Sequence, residues 1–272
     1  MWPLVWLVPL GFVVGAFSTV VGVGGGFILV PILLFLYPEE NPAIITSIGL
    51  AVNFCTATAG SITYARMGRV DFRSGLLLAA VSLPGAMVGA YVTDFIPRRS
   101  FDGMFGVVLV LVAVLLFLSR ENGRGGLPTA ARPGTVMRRV VEKDGTVHQY
   151  SYNARVGAPM SFVIGFVSAI FGLGGGVVQV PAMVRFLNFP VHVATATSHL
   201  MVALMSLSAT LVHFSTGSFT HGFRRTAMLA IGVLLGAPLG ARLSSKVKGG
   251  LILRALAVAL AVVGLRLLVG SL

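Results

Sequence analysis

Two stretches of the chain place three consecutive glycines inside otherwise apolar sequence: GVGGGFILVP at 22–31 and GLGGGVVQVP at 172–181. Glycine is the poorest helix former after proline, so a helix running through either site is unfavourable. Residues 4–36 are almost uninterrupted apolar, and as one helix they would be about 50 Å long at about 1.5 Å per residue. That exceeds a hydrocarbon core about 30 Å thick, yet two full crossings need about 40 residues and a turn. A broken helix, or a re-entrant hairpin that turns at the glycines, satisfies both limits. Pro31 and Pro181 follow the two runs and disturb the hydrogen-bond ladder over the next turn.

The setting is a lipid bilayer. Hydrophobic residues make up 56% of the 272-residue chain and charged residues 10%, against roughly 25% charged in a soluble domain. The runs 76–93, 103–118, 200–214 and 251–270 are nearly free of charge, close to the length that spans a membrane. The start, MWPLVWLVPLGF, has no basic leader and no small-residue cleavage site, so the first apolar segment is expected to be retained. The net charge of +12 sits mainly in Lys and Arg between apolar segments, the pattern of loops held on the cytoplasmic side. This basicity calls for no nucleic-acid partner. The single cysteine, Cys55, excludes an intrachain disulfide and a cysteine metal cluster. It reads as apolar filler, and no cofactor is expected.

The chain repeats itself. Shifted by 150 positions, FVVGAFSTVVGVGGGFILVP (12–31) falls on FVIGFVSAIFGLGGGVVQVP (162–181). Ala43 to Ser47 faces Ala194 to Ser198, and LPGAMVGAYV (83–92) faces LGAPLGARLS (235–244). This predicts a transmembrane repeat over 1–118, a cytoplasmic linker over 119–155 and a second transmembrane repeat over 156–272. Duplication of this kind recurs in transporter folds. Within the linker, RENGRGGLPTAARPG reads as an exposed connection. The following VMRRVVEKDGTVHQYSYN carries Asp144-Gly145 between β-prone runs, a hairpin signature, with a disordered linker as the alternative.

Two topologies follow from the glycine breaks. If the first segment of each repeat crosses, the repeats are parallel; if each re-enters, the repeats are inverted. With the linker inside, the inverted arrangement also keeps Arg66, Arg69, Arg73, Arg185, Arg242, Lys246, Lys248 and Arg254 inside, leaving Arg98, Arg99, Arg224 and Arg225 outside. It obeys the positive-inside rule better than the crossing one. The expected fold is therefore an all-α polytopic membrane protein of two homologous repeats, inverted, each with a Gly-broken or re-entrant first segment plus three transmembrane helices.

All eight carboxylates lie in expected loops or at segment ends. Bare-cation carriers and proton-coupled pumps commonly place Asp or Glu near the midplane, so an anionic solute suits this chain better. A helix that restarts after a break presents orphan N–H groups at the positive end of its dipole, which attracts anions. Close helix packing is the plain structural alternative for one glycine run, and its repetition at matching positions before Val-Pro favours the break. The candidate site comprises Gly24, Gly25, Gly26, Gly174, Gly175 and Gly176 as backbone donors, and Thr46, Ser47, Thr197 and Ser198 as hydroxyl donors. Asn53 and His199 would add directional hydrogen bonds, and His199 is a candidate carrier of a coupling proton. An enzyme is not expected: Ser198 and His199 are neighbours that point about 100° apart on a helix, and no Gly-x-Ser-x-Gly accompanies them.

The paired glycine motifs, the Ala-x-x-Thr-Ser segments and the later Gly-Ala run resemble the sulfite exporter TauE/SafE family of membrane permeases. The resemblance spans both halves. It implies movement of small sulfur-containing anions such as sulfite, thiosulfate or organosulfonates, with the glycine runs and Thr-Ser segments along the path. The expectation is a secondary transporter in the cytoplasmic membrane with a small anionic substrate and the bilayer as its partners; a passive anion channel is the alternative.

Overall fold

The computed structural model describes residues 4–118, 134–217, 222–244, 247 and 249–271; the expected exposed connection at 119–133 lies outside them. A short 3-10 turn, Leu4–Trp6, leads into α1 (Leu7–Val21), followed by α2 (Gly26–Leu36), α3 (Pro42–Arg66), α4 (Phe72–Thr93) and α5 (Arg98–Leu118). Two strands, β1 (Thr135–Val141) and β2 (Val147–Asn153), precede α6 (Ala154–Ile170), α7 (Gly176–Phe186), α8 (Val191–Ser215), α9 (Phe223–Ser244) and α10 (Gly249–Ser271). Five helical stretches among the described residues are long and apolar enough to cross a membrane: α1 with its leading turn, α3, α4, α8 and α9. The chain is an all-α polytopic membrane protein carrying one small antiparallel hairpin.

Local chemistry sets the helix starts. Asn41 accepts the Ala43 amide at 2.9 Å with Pro42 at the first helical position, and Asp71 accepts the Ser74 amide at 3.0 Å at the head of α4. Short polar caps of this type satisfy the orphan donors of a first turn. The two glycine runs break the chain between α1 and α2 and between α6 and α7. At the first break Gly22 ends α1 in the left-handed region, and its amide donates back to Ser18 and Thr19, a common glycine terminus. Pro31 and Pro181 sit inside the 11-residue helices α2 and α7.

Contact order gives the helix directions. Glycines at α1 and α9 bring their backbones together, Gly11 against Leu229, Gly15 against Val233 and Gly240 against Ala16, so the two helices run parallel. In the same way Gly85 meets Phe162 and Gly89 meets Phe166, and α4 runs parallel to α6. Small residues permit such close approach where lipid supplies no hydrophobic drive between helices. The α2 helix returns to the end where α1 began. There Arg98 donates to the Leu34 carbonyl at 2.9 Å and the Glu40 carbonyl at 2.8 Å, and Arg225 pairs with Glu40 at 2.6 Å while covering the Tyr37 ring. A cation over the Leu34 carbonyl, in the last turn of α2, complements the helix dipole. The α7 helix returns to the opposite end, where Leu187 packs on Gly157 in the first turn of α6.

That opposite end carries the hairpin. Its strands pair from Thr135 with Asn153 to Val141 with Val147, and Gly145 takes the left-handed conformation in the turn. Arg69 after α3 forms a buried ion pair with Glu142 at 2.5 Å, and Glu142 also meets His148 at 2.8 Å. The Tyr150 hydroxyl donates to Asp71 at 2.7 Å, and the Tyr150 and Tyr152 rings pack on Phe189. Burial and the Asp71 carboxylate push the Tyr150 phenol well above its usual range. The hairpin thus ties the α3–α4 turn to the α7–α8 turn.

Candidate functional site

The two broken segments meet on a single side chain. Asn53, in the middle of α3 and fully buried, accepts the Gly26 amide through Oδ1 at 2.7 Å and donates from Nδ2 to the Gly172 carbonyl at 3.3 Å. It bridges the first break to the second. Gly24 and Gly174 adopt φ values of +79° and +68°, where side chains other than glycine are strained. A Cβ on Gly174 would stand 2.5 Å from Asn53 Nδ2 and 2.6 Å from Ser206 Oγ, and one on Gly24 would stand 2.8 Å from Asn53 Oδ1. The backbones themselves touch, Gly26 against Gly172 and Gly176 against Val23. Both helix N-termini, of α2 and of α7, therefore start at one junction.

Hydrogen-bond donors remain there. The Val23 amide donates to Ser18 and the Leu173 amide to Ser168, whereas the amides of Gly24, Gly25, Gly174 and Gly175 donate no hydrogen bond among the described residues. Beside them lie the buried hydroxyl-bearing residues Ser206, next to Gly174, and Ser168, next to Gly175, whose hydroxyls have no partner among those residues; both amide atoms of Gln179, one turn into α7, are likewise buried without a partner among them. A buried polar group without a partner is costly, so their collection here is a chemical signal. Gln179 is the residue that sequence reading passed over. Laying the two glycine motifs over each other exposes it, because Leu29 holds the matching place.

The remaining candidates divide between places. Ser198 reaches the Gly22 carbonyl at 2.7 Å as well as its own Thr195 carbonyl at 2.9 Å, joining α8 to the first turn. The Thr46 backbone borders Gly172, but the Thr46 and Ser47 hydroxyls bond carbonyls three residues back on their own helix. Thr197 faces away from the glycines, its Oγ1 accepting the Asp71 amide at 3.0 Å; Thr195 borders Gly22 instead. A two-residue offset on a helix turns a side chain to another face, which is why matching Thr-Ser pairs do not occupy matching places. His199 packs edge-on against Tyr64 with ring centres 5.4 Å apart and close to Gly60 and Thr19. Its Nδ1 lies 3.1 Å from the Thr195 carbonyl. Gly60 is seven residues beyond Asn53 on α3, about 10 Å along the axis, so His199 belongs to a neighbouring cluster rather than the junction. In that cluster the Tyr64 hydroxyl donates to the Thr19 carbonyl at 2.7 Å and lies 2.9 Å from Ser244 Oγ.

The junction is closed. Asn53, Thr46, Ser198 and Ser206 are all 0% exposed, as are Gln179 in α7 and His199 in the neighbouring Tyr64 cluster. Among the described residues no group of three or more His, Cys, Asp or Glu could hold a metal.

The family model for the sulfite exporter TauE/SafE matches residues 7–267. Similar proteins include the probable membrane transporter protein YunE of Bacillus subtilis (strain 168), 31% identical over 96% of each chain. A probable membrane transporter protein of Xylella fastidiosa (strain 9a5c) is 27% identical, over 74% of this chain and 70% of its own. Another, MJ0441 of Methanocaldococcus jannaschii, is 21% identical over 89% and 86%. No solved structure matches the chain.

Proposed function

The chain belongs to the sulfite exporter TauE/SafE family of membrane transporters, and on that premise we propose that it is a secondary transporter of small sulfur-containing anions such as sulfite, thiosulfate or organosulfonates. One observation carries the reading: the two breaks meet on Asn53, where two helices start and where the amides of Gly24, Gly25, Gly174 and Gly175 donate no hydrogen bond among the described residues. Amides at a helix N-terminus favour negative charge, and their value rises where water is excluded. Gln179 and Ser206 would add donors, Ser198 would steady the first turn, and His199 would act from the Tyr64 cluster on the proton balance. The opposite entry of the two broken pairs supports an inverted arrangement of the repeats, with the hairpin end read as cytoplasmic.

Complete burial of the junction favours a carrier over a passive channel, since a standing pore leaves its lining accessible to water. Release then requires one half to move against the other, the motion expected of paired repeats around a fixed site. The test is counterflow of labelled sulfite or sulfoacetate in proteoliposomes. A carrier gives saturable counterflow that Asn53→Leu abolishes, with His199→Ala as comparison. Linear, non-exchanging flux would overturn the carrier reading, and no flux of any sulfur anion would overturn the substrate class.

A further inference from the structure

Where α3 and α9 end, a cleft of about 310 Å³ opens between them, lined by Arg66 and Arg242 together with Ala59, Ile62, Thr63, Met67 and Pro238. It has two levels. Arg66 lies one turn beyond Ile62 and Arg242 one turn beyond Pro238, so both guanidinium-bearing positions stand about 6 Å nearer the hairpin end than the apolar pair. The lower level is open to the bilayer: Ile62 is 49% exposed, and α9 shows a row of exposed Leu235, Leu239 and Leu243 on its flank.

We propose that this cleft binds an anionic membrane phospholipid, its phosphate between Arg66 and Arg242 and an acyl chain over Ile62 and Pro238. Guanidinium groups match phosphate oxygens in a bidentate fork, and basic pockets between membrane helices accept lipid head groups. A free phosphate or sulfate would satisfy the upper level alone. The apolar level beneath it, with Ile62 half exposed on the same side of the cleft, selects a ligand with a tail. Occupancy would brace α3 against α9 beside the Tyr64 and Ser244 contact. The proposal assumes nothing about the transported solute.

The test uses the full chain in neutral detergent, following thermal unfolding and lipid retention in native mass spectrometry. The additions are phosphatidylglycerol, phosphatidylcholine or inorganic phosphate. Phosphatidylglycerol is expected to be retained and to raise the unfolding temperature, while the other two do neither. In R66Q/R242Q its apparent affinity should fall about thirtyfold, each basic group at an anionic lipid being worth about fivefold. Ala59→Trp, which fills the lower level and leaves both arginines, should weaken lipid binding as well, and it serves if the double variant fails to fold. Equal retention by wild type, R66Q/R242Q and Ala59→Trp overturns the site. Stabilisation by inorganic phosphate equal to that by the lipid, undiminished in Ala59→Trp, overturns the lipid assignment in favour of a free anion.

Discussion

Asn53 Oδ1 holds the Gly26 amide at 2.7 Å, and from the other side of the same carboxamide Nδ2 reaches the Gly172 carbonyl, 119 residues away in sequence. One polar side chain thus fastens two interruptions of membrane helix to each other. Such non-helical backbone is tolerated in a membrane only where protein covers it or a cavity receives it, and Asn53 is part of that cover. Replacing it with leucine strands the Gly26 amide, at a cost of about 1–3 kcal/mol. Asn53→Leu is expected to unfold at lower temperature in detergent and to lose anion flux in proteoliposomes; wild-type behaviour in both assays would remove Asn53 from the account.

Gly174 has a more local constraint. Its φ of +68° costs an L-residue about 1–2 kcal/mol, and a methyl group would also press on Asn53 and Ser206. Gly174→Ala should therefore destabilise more than an alanine placed at Gly145, whose Cβ would meet nothing. Comparing the two unfolding temperatures checks this, since both glycines have positive φ and only Gly174 is crowded.

Gln179 separates binding from packing. Both of its amide atoms are buried without a partner among the described residues, so Gln179→Leu removes a desolvated polar group and should hold or raise stability, by about 1–2 kcal/mol. If the carboxamide contacts the anion, the same variant loses transport affinity. Higher stability with lower flux is the expected pair; unchanged flux would show the glutamine is not a ligand.

Glu142 joins the hairpin to the helices. Its carboxylate pairs with Arg69, whose side chain is only 10% exposed, and removing one partner of a buried pair costs about 3–5 kcal/mol because the other charge stays buried. Glu142→Gln is expected to loosen the hairpin, read as faster tryptic cleavage at the exposed Arg139. Cleavage at the wild-type rate would show that the contacts with Asp71 and Phe189 hold the hairpin without the Glu142 pair.

Tyr150 makes hairpin docking sensitive to alkali. Burial and the Asp71 carboxylate raise its folded pKa, so the folded chain binds the phenolic proton more tightly than the unfolded chain does. The resulting stabilisation is complete below the unfolded value of about 10 and fades as pH rises above it. Hairpin protection against trypsin should fall above about pH 10 in wild type and show a weaker pH dependence in Tyr150→Phe. Identical profiles would mean that other groups set the alkaline limit.

Membrane residence, the two interruptions and the turn at Asp144-Gly145 were legible because each is written in neighbouring residues: apolar run length, glycine clusters and turn chemistry all act within one segment. Only the tertiary structure decided that both interruptions close on Asn53, that Thr197 turns to Asp71 rather than to the glycines, and that His199 stands with Tyr64 about 10 Å from the junction. It also revealed Gln179 as a buried amide without a partner among the described residues. These facts depend on contacts such as that of Tyr64 with Ser244, 180 residues apart. Within lipid, apolar side chains favour no particular neighbour, so the register of one helix on another is set by where glycines let backbones touch and where isolated polar groups find each other. Local sequence states which groups are available, and packing alone assigns their partners.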